Sequence, residues 1–166
     1  MKQHNKDKIV SRKSVFHKRY RVLDPLRNFP GGTIYMGLNR DDKSRVYLRV
    51  YHGVTISSDE DFATFEDEFF KYRDHSFDGY QKVLEILKVS VEGIDNPFPV
   101  VVLERPKGIT ARRLLANSVD EQLPINEAAF IISEAASICL KALHDGMQVS
   151  EIFLQDITVS YTHLTL

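Results

Sequence analysis

Apolar and polar positions change rhythm along the chain, and each rhythm predicts an element. Tyr20–Leu26 is a short apolar stretch that runs into Asn28-Phe29-Pro30-Gly31-Gly32, a strong turn signal. Thr33–Leu38 is β-branched and aromatic and reads as a strand. A polar turn, Asn39–Ser44, separates it from a second strand, Arg45–Tyr51. These segments predict an antiparallel meander. Ser57 and Ser58 are each followed three residues later by a carboxylate, Glu60 and Asp61, which is the signature of a capped helix start. Phe62, Phe65, Phe69 and Tyr72 then mark one face of that helix. Strands around Val83–Val91 and Val100–Leu103 flank the turn Asp95-Asn96-Pro97. The first half is thus expected to be five strands with one inserted helix.

The second half changes character. Glu104–Gly108 reads as a linker, and Thr110 as the N-cap of a short helix through Leu115. The longest helix signal runs from about Pro124 to His144, with Ala128, Ile132, Ala135, Cys139 and Leu143 as its expected buried face and Gly146 as its stop. A polar loop follows, with Glu151 and Asp156 placed five positions apart.

Composition adds exclusions more than it adds functions. The 166 residues suffice for a domain that buries about two thirds of its unfolded surface. A net charge of -1, from 22 basic and 23 acidic residues, gives no global field toward nucleic acid or membrane. The segment Met1–Arg19 carries seven Lys/Arg against Asp7 alone, and is expected to be a solvated basic tail, with anionic-surface binding as the other reading. It contains no apolar run of the signal-peptide kind. A single cysteine, Cys139, excludes a disulfide framework and a multi-thiolate zinc site. No segment approaches the roughly 20 apolar residues of a membrane span, so a cytoplasmic protein is expected. The histidines lack metal-ligand spacing, and no nucleophile elbow, intact P-loop or zinc motif is present.

The order of elements, together with several local motifs, resembles a protein kinase from its start to its catalytic loop. Gly32-Thr33-Ile34-Tyr35 is similar to the last glycine of the Gly-rich loop and the G-x-V-Y that follows it. Val46-Tyr47-Leu48-Arg49 sits where kinases have V-A-I-K, and Phe65-Glu66-Asp67-Glu68 matches the F-x-x-E of the first helix. Val100–Glu104 resembles the strand entering the hinge, with Leu103 at the gatekeeper position. Ala142-Leu143-His144 matches the A-L-H that ends the long helix. Val149-Ser150-Glu151 falls on H-R-D, and Asp156-Ile157 on N-I. The resemblance implies an α+β, protein kinase-like fold: a five-stranded antiparallel N-lobe sheet with one helix, plus the first helices of an incomplete helical C-lobe. It implies a basic tail over 1–19, an N-lobe over 20–104, and a hinge with the start of the C-lobe over 105–158.

What the resemblance implies chemically is nucleotide handling, with ATP and Mg²⁺ as cofactors, weakly held or lost. Gly31, Gly32, Ile34, Arg49, Glu68, Leu103 and Glu104 would line the nucleotide, Asp156 would hold metal, and Glu151 would stand at the catalytic carboxylate. The departures are large. The first two loop glycines become Arg27 and Phe29. Arg49 replaces the strand lysine; it can pair with Glu68, but its planar fork does not reproduce a compact ammonium on phosphates. Glu151 is one methylene longer than aspartate, and a displacement of about an ångström costs on the order of a hundredfold in rate. Val149, Ser150 and Phe153 remove the residues that brace the loop.

These departures favour a nucleotide-binding or degenerate (pseudo)kinase with a regulatory or scaffold role and a protein partner. An active, divergent Ser/Thr-type kinase with a protein substrate is the alternative. A small-molecule kinase of the aminoglycoside-phosphotransferase type lacks its H-x-D here, and an α+β interaction domain is the reading without catalysis. In that plainer reading Arg49 is an outward strand residue and Glu68 part of a wet charge run. Glu151 and Asp156 are then loop polar groups, and Gly31-Gly32 a simple turn. The final residues, Val159–Leu166, resemble a translated sequencing adaptor, so the natural frame is expected to continue past Thr158 into the rest of the second lobe. The chain alone is then expected not to transfer phosphate.

Overall fold

Alternate side chains along the strands point to two faces of one sheet, and each face has its own apolar cluster. The structure, a computed structural model, describes residues 10–11, 14–74, 79–92, 94–146, 152, 154, 156–160 and 164–165. The chain divides into two compact units, Met1–Arg73 with Lys82–Arg105, and Asp74–Gln81 with Pro106–Leu166.

In the first unit β1 (Val15–Phe16), β2 (Tyr20–Phe29), β3 (Gly32–Asn39) and β4 (Arg45–Val50) are followed by helix α1 (Asp59–Asp74) and then β5 (Val83–Val89) and β6 (Phe98–Glu104). They form one antiparallel sheet in the order β1-β2-β3-β4-β6-β5. Val46, Leu48 and Val50 point to one face, where they pack with Val22, Leu87, Val100 and Val102. Tyr47 and Tyr51 point to the other, with Val83, Val101, Leu103 and the α1 residues Phe65 and Phe69. Both faces are therefore covered, as the near-continuous apolar run of β6 requires. The sheet also curls. Arg19 Nη1 lies 3.1 Å from Glu85 Oε2 on β5, and the Tyr20 hydroxyl donates to the same carboxylate.

A sixth strand, β1, joins the five expected ones from within the basic segment 1–19. Val15 and Phe16 pair with Arg21 and Tyr20, and Val10 and Phe16 belong to the sheet's core. A turn with His17 and Lys18 both left-handed joins β1 to β2, and His17 Nε2 donates to the Lys88 carbonyl at 2.9 Å. Two apolar residues set six apart among cations carry too little periodicity to announce a strand.

Helix α1 begins as the capping signature predicts, using the second of the two candidate pairs. Ser58 Oγ accepts from the Asp61 amide at 3.0 Å, and Asp61 Oδ2 accepts from the Ser58 amide at 3.0 Å. Lys88 Nζ on β5 lies 2.7 Å from Asp59 Oδ1 and holds that exposed carboxyl below its usual range, chiefly by this hydrogen bond. Phe65 and Phe69 face the sheet as expected, whereas the side chain of Tyr72 lies outside the described residues.

The second unit contains β7 (Ile109–Thr110), α2 (Ala111–Ala116), a 3₁₀ turn at Val119–Glu121, α3 (Ile125–His144), β8 (Thr158–Val159) and β9 (Leu164–Thr165). Thr110 caps α2 by accepting from the Arg113 amide at 3.3 Å. A Cβ at Gly108 would lie 2.3 Å from the Val159 carbonyl oxygen, so the close approach of β8 to β7 requires glycine. Helix α3 ends where Gly146 adopts φ 75°. Its buried residues are Ile131, Ala135, Ile138 and Ala142; of the expected Ala128/Ile132/Ala135/Cys139/Leu143 row Ala135 is buried and Cys139 half-buried, whereas Ile132 is 69% exposed and Leu143 exposed too. Asn126, Glu127, Ser133, Glu134, Ser137, Lys141 and His144 share one side of the helix, and apolar residues cover the wider remainder, so periodicity alone could not choose which part of that apolar arc is buried.

Candidate functional site

The tip of the β2–β3 hairpin is built by two residues with opposite backbone habits. Pro30 and Gly31 join Phe29 to its cross-strand partner Gly32, and Gly31 sits at φ 88°, the proline-then-glycine order of a type II turn. A Cβ at Gly32 would lie 2.1 Å from the Val50 carbonyl oxygen and 2.3 Å from Phe29 Cζ. Glycine is needed there for backbone and ring packing. The Gly53 amide donates to the Gly31 carbonyl at 2.8 Å, which fastens the tip to the turn after β4.

Register decides which side chains share a face. Ile34 pairs with Arg49, Arg49 with Val101, and Tyr47 with Leu103. Directly opposed residues of an antiparallel pair project to the same side. Arg27 and Phe29, opposite Ile34 and Gly32, therefore project to the side of Arg49. The two positions that depart from the glycine pattern thus put side chains onto the face that the kinase resemblance reserves for nucleotide.

There the structure joins two departures that the sequence showed separately. The guanidinium carbon of Arg49 lies 4.5 Å from the centroid of the Phe29 ring and 5.3 Å from that of Tyr51. Phe29 meets Tyr51 edge to face at 5.0 Å, and Tyr51 meets Phe65 at 5.1 Å and Phe69 at 5.9 Å. Arg49 Nε is buried with no hydrogen-bond partner among the described residues. Glu68, the expected partner of Arg49, is exposed, and the two form no ion pair among the described residues. Energetics favour the observed choice. A desolvated cation–π contact is worth about 0.5–2 kcal/mol and an aromatic pair about 0.5–1.5 kcal/mol. A solvent-exposed ion pair contributes about 0–1 kcal/mol.

The remaining candidates are scattered in environment. Ile34 and Leu103 are buried. Glu104 is exposed, and its amide donates to the Lys82 carbonyl at 2.9 Å. Asp156, in the second unit, is half-buried; Glu151, Val149, Ser150 and Phe153 lie outside the described residues. Among the described residues no group of three or more His, Cys, Asp or Glu is arranged to hold a metal ion. Sequence reasoning missed Tyr51 and Tyr47 as members of the site. The available signal was their period-2 spacing with Arg49, which puts all three on one face of β4.

A curled antiparallel sheet with a capped helix laid on one face, followed by a helical unit, makes this a protein kinase-like α+β fold. Among solved structures the chain is similar to the PknI kinase domain of Mycobacterium tuberculosis. One such structure matches at 16% identity with a TM-score of 0.68, over 95% of this chain and 60% of that one. A singly substituted variant matches at 16% identity and 0.69, over 95% and 61%. A doubly substituted variant matches at 17% and 0.69, over 95% and 62%. At such identities the likeness is one of fold. The chain spans about three fifths of those kinase domains. No protein-family profile and no curated protein matches it. Among the described residues no helix is long and apolar enough to cross a membrane.

Proposed function

We propose that this chain is part of a degenerate kinase-like domain, a pseudokinase, whose role is to hold or regulate a partner protein. The observation that carries this reading is the stack of Phe29 on Arg49. In a kinase the nucleotide phosphates lie between the Gly-rich hairpin and the strand lysine. Here a ring centroid and a guanidinium carbon 4.5 Å apart are already in van der Waals contact, and a phosphate group cannot enter between them. Tyr47, where kinases have alanine, adds a second ring to the same face. The residues present therefore do not fit the triphosphate, and no phosphoryl-transfer step is derived through them. Gly31, Gly32, Ile34, Leu103 and Glu104 on this reading are fold residues of a former nucleotide cleft, and Asp156 and Glu151 are remnants of its loop.

The test is a transfer assay with γ-labelled ATP and Mg²⁺ on the longest natural protein that carries this chain, with a generic protein substrate present. No incorporation of label is expected. Incorporation that disappears in Glu151→Gln would overturn the reading in favour of an active, divergent Ser/Thr-type kinase.

A further inference from the structure

We propose that Arg49, Phe29, Tyr51, Phe65 and Phe69 form a strut that couples helix α1 to the tip of the β2–β3 hairpin without a charge pair. Every link in the line is in contact. Arg49 lies over Phe29, Phe29 meets Tyr51, Tyr51 meets both Phe65 and Phe69, and those two rings lie 4.9 Å apart. Tyr51 is the hub, touching the arginine and all three phenylalanines.

Both ends of the line are tied to backbone. At the hairpin, the Gly53 amide holds the Gly31 carbonyl, and the missing Cβ of Gly32 leaves room for the Phe29 ring, whose Cζ it would otherwise meet at 2.3 Å. At the helix, the Ser58–Asp61 cap and the Lys88–Asp59 contact fix the first turn. Glu68 takes no part in this line and stays in solvent. The strut therefore makes the hairpin tip and the helix one mechanical body. The seating of α1 does not depend on an ion pair from Glu68, and a change at the tip is felt along the helix.

Amide hydrogen exchange on the full chain, without nucleotide, reads this directly and independently of whether ATP binds. Tyr51→Leu is expected to speed exchange over Asp59–Phe69 by about tenfold, the scale of losing aromatic contacts at a hub. Phe29→Leu changes a half-buried residue at a hairpin end and leaves the valine core of the sheet intact, so it remains readable should Tyr51→Leu fail to fold. It is expected to speed exchange at Gly31–Gly32 and over Asp59–Phe69 together. Glu68→Gln is expected to change α1 by less than about twofold, as a solvated charge does. The strut is overturned if Phe29→Leu loosens the tip and leaves α1 unchanged. It is also overturned if Glu68→Gln speeds α1 as much as an aromatic substitution does.

Discussion

Arg49 had two available partners, and its choice sets the chemistry of the face around it. The carboxylate of Glu68 stays in water, while the rings of Phe29 and Tyr51 take the guanidinium. A double-mutant cycle of Arg49→Met with Phe29→Leu, read by urea denaturation, is expected to give a coupling of about 0.5–2 kcal/mol. The same cycle between Arg49 and Glu68 is expected to give none. Tyr20 supplies a second test at this scale. Its buried phenol donates to Glu85; burial first and that hydrogen bond second push its pKa well above the ordinary range. The folded protein then keeps a proton that the unfolded chain releases near pH 10, so this contribution is full below about pH 10 and falls as pH rises further. Stability measured from about pH 9 to 11 is expected to fall less steeply in Tyr20→Phe than in the parent chain. Phe29 and Arg49 were each visible in the sequence as departures from a pattern. Their contact was not, because it depends on hairpin register and on a ring rotamer that no spacing encodes.

At the scale of elements, local chemistry was the readable part. The Ser58–Asp61 cap, the Pro30–Gly31 turn, the Thr110 cap and the Gly146 stop all follow from short-range backbone requirements that a few residues state outright. Ser58→Ala is expected to cost about 1 kcal/mol, seen as a lower urea midpoint with unchanged slope. Gly32→Ala places a Cβ 2.1 Å from the Val50 carbonyl oxygen and is expected to cost about 1–3 kcal/mol by the same measurement. What stayed hidden was whatever tertiary packing decides. Strand β1 owes its existence to Phe16 and Val10 reaching the core from a segment dominated by lysine and arginine. The buried side of α3 was misplaced for the opposite reason, an apolar arc wider than the face that is buried.

At the scale of the molecule, that excess has a consequence. Ile125, Ile132, Leu140 and Leu143 on α3 are 54–88% exposed. An apolar stripe of this kind drives association in water. Light scattering of the purified chain is expected to show mass rising with concentration, and Ile132→Glu with Leu140→Glu is expected to reduce it. A monodisperse monomer at all concentrations would contradict this. The kinase-like order of elements was legible because it is written in many weak signals spread over the chain. The packing of the face around Arg49 was not, because it turns on one contact.

The most direct measurement is a titration with MgATP, following the amide resonances of Gly31, Gly32 and Arg49. Without saturable movement at millimolar nucleotide, the stack of Phe29 on Arg49 stands as the occupant of the phosphate position, as proposed. Saturable shifts at those three residues in the sub-millimolar range would show that the phosphates displace the ring, and would contradict the account in which the stack excludes the triphosphate.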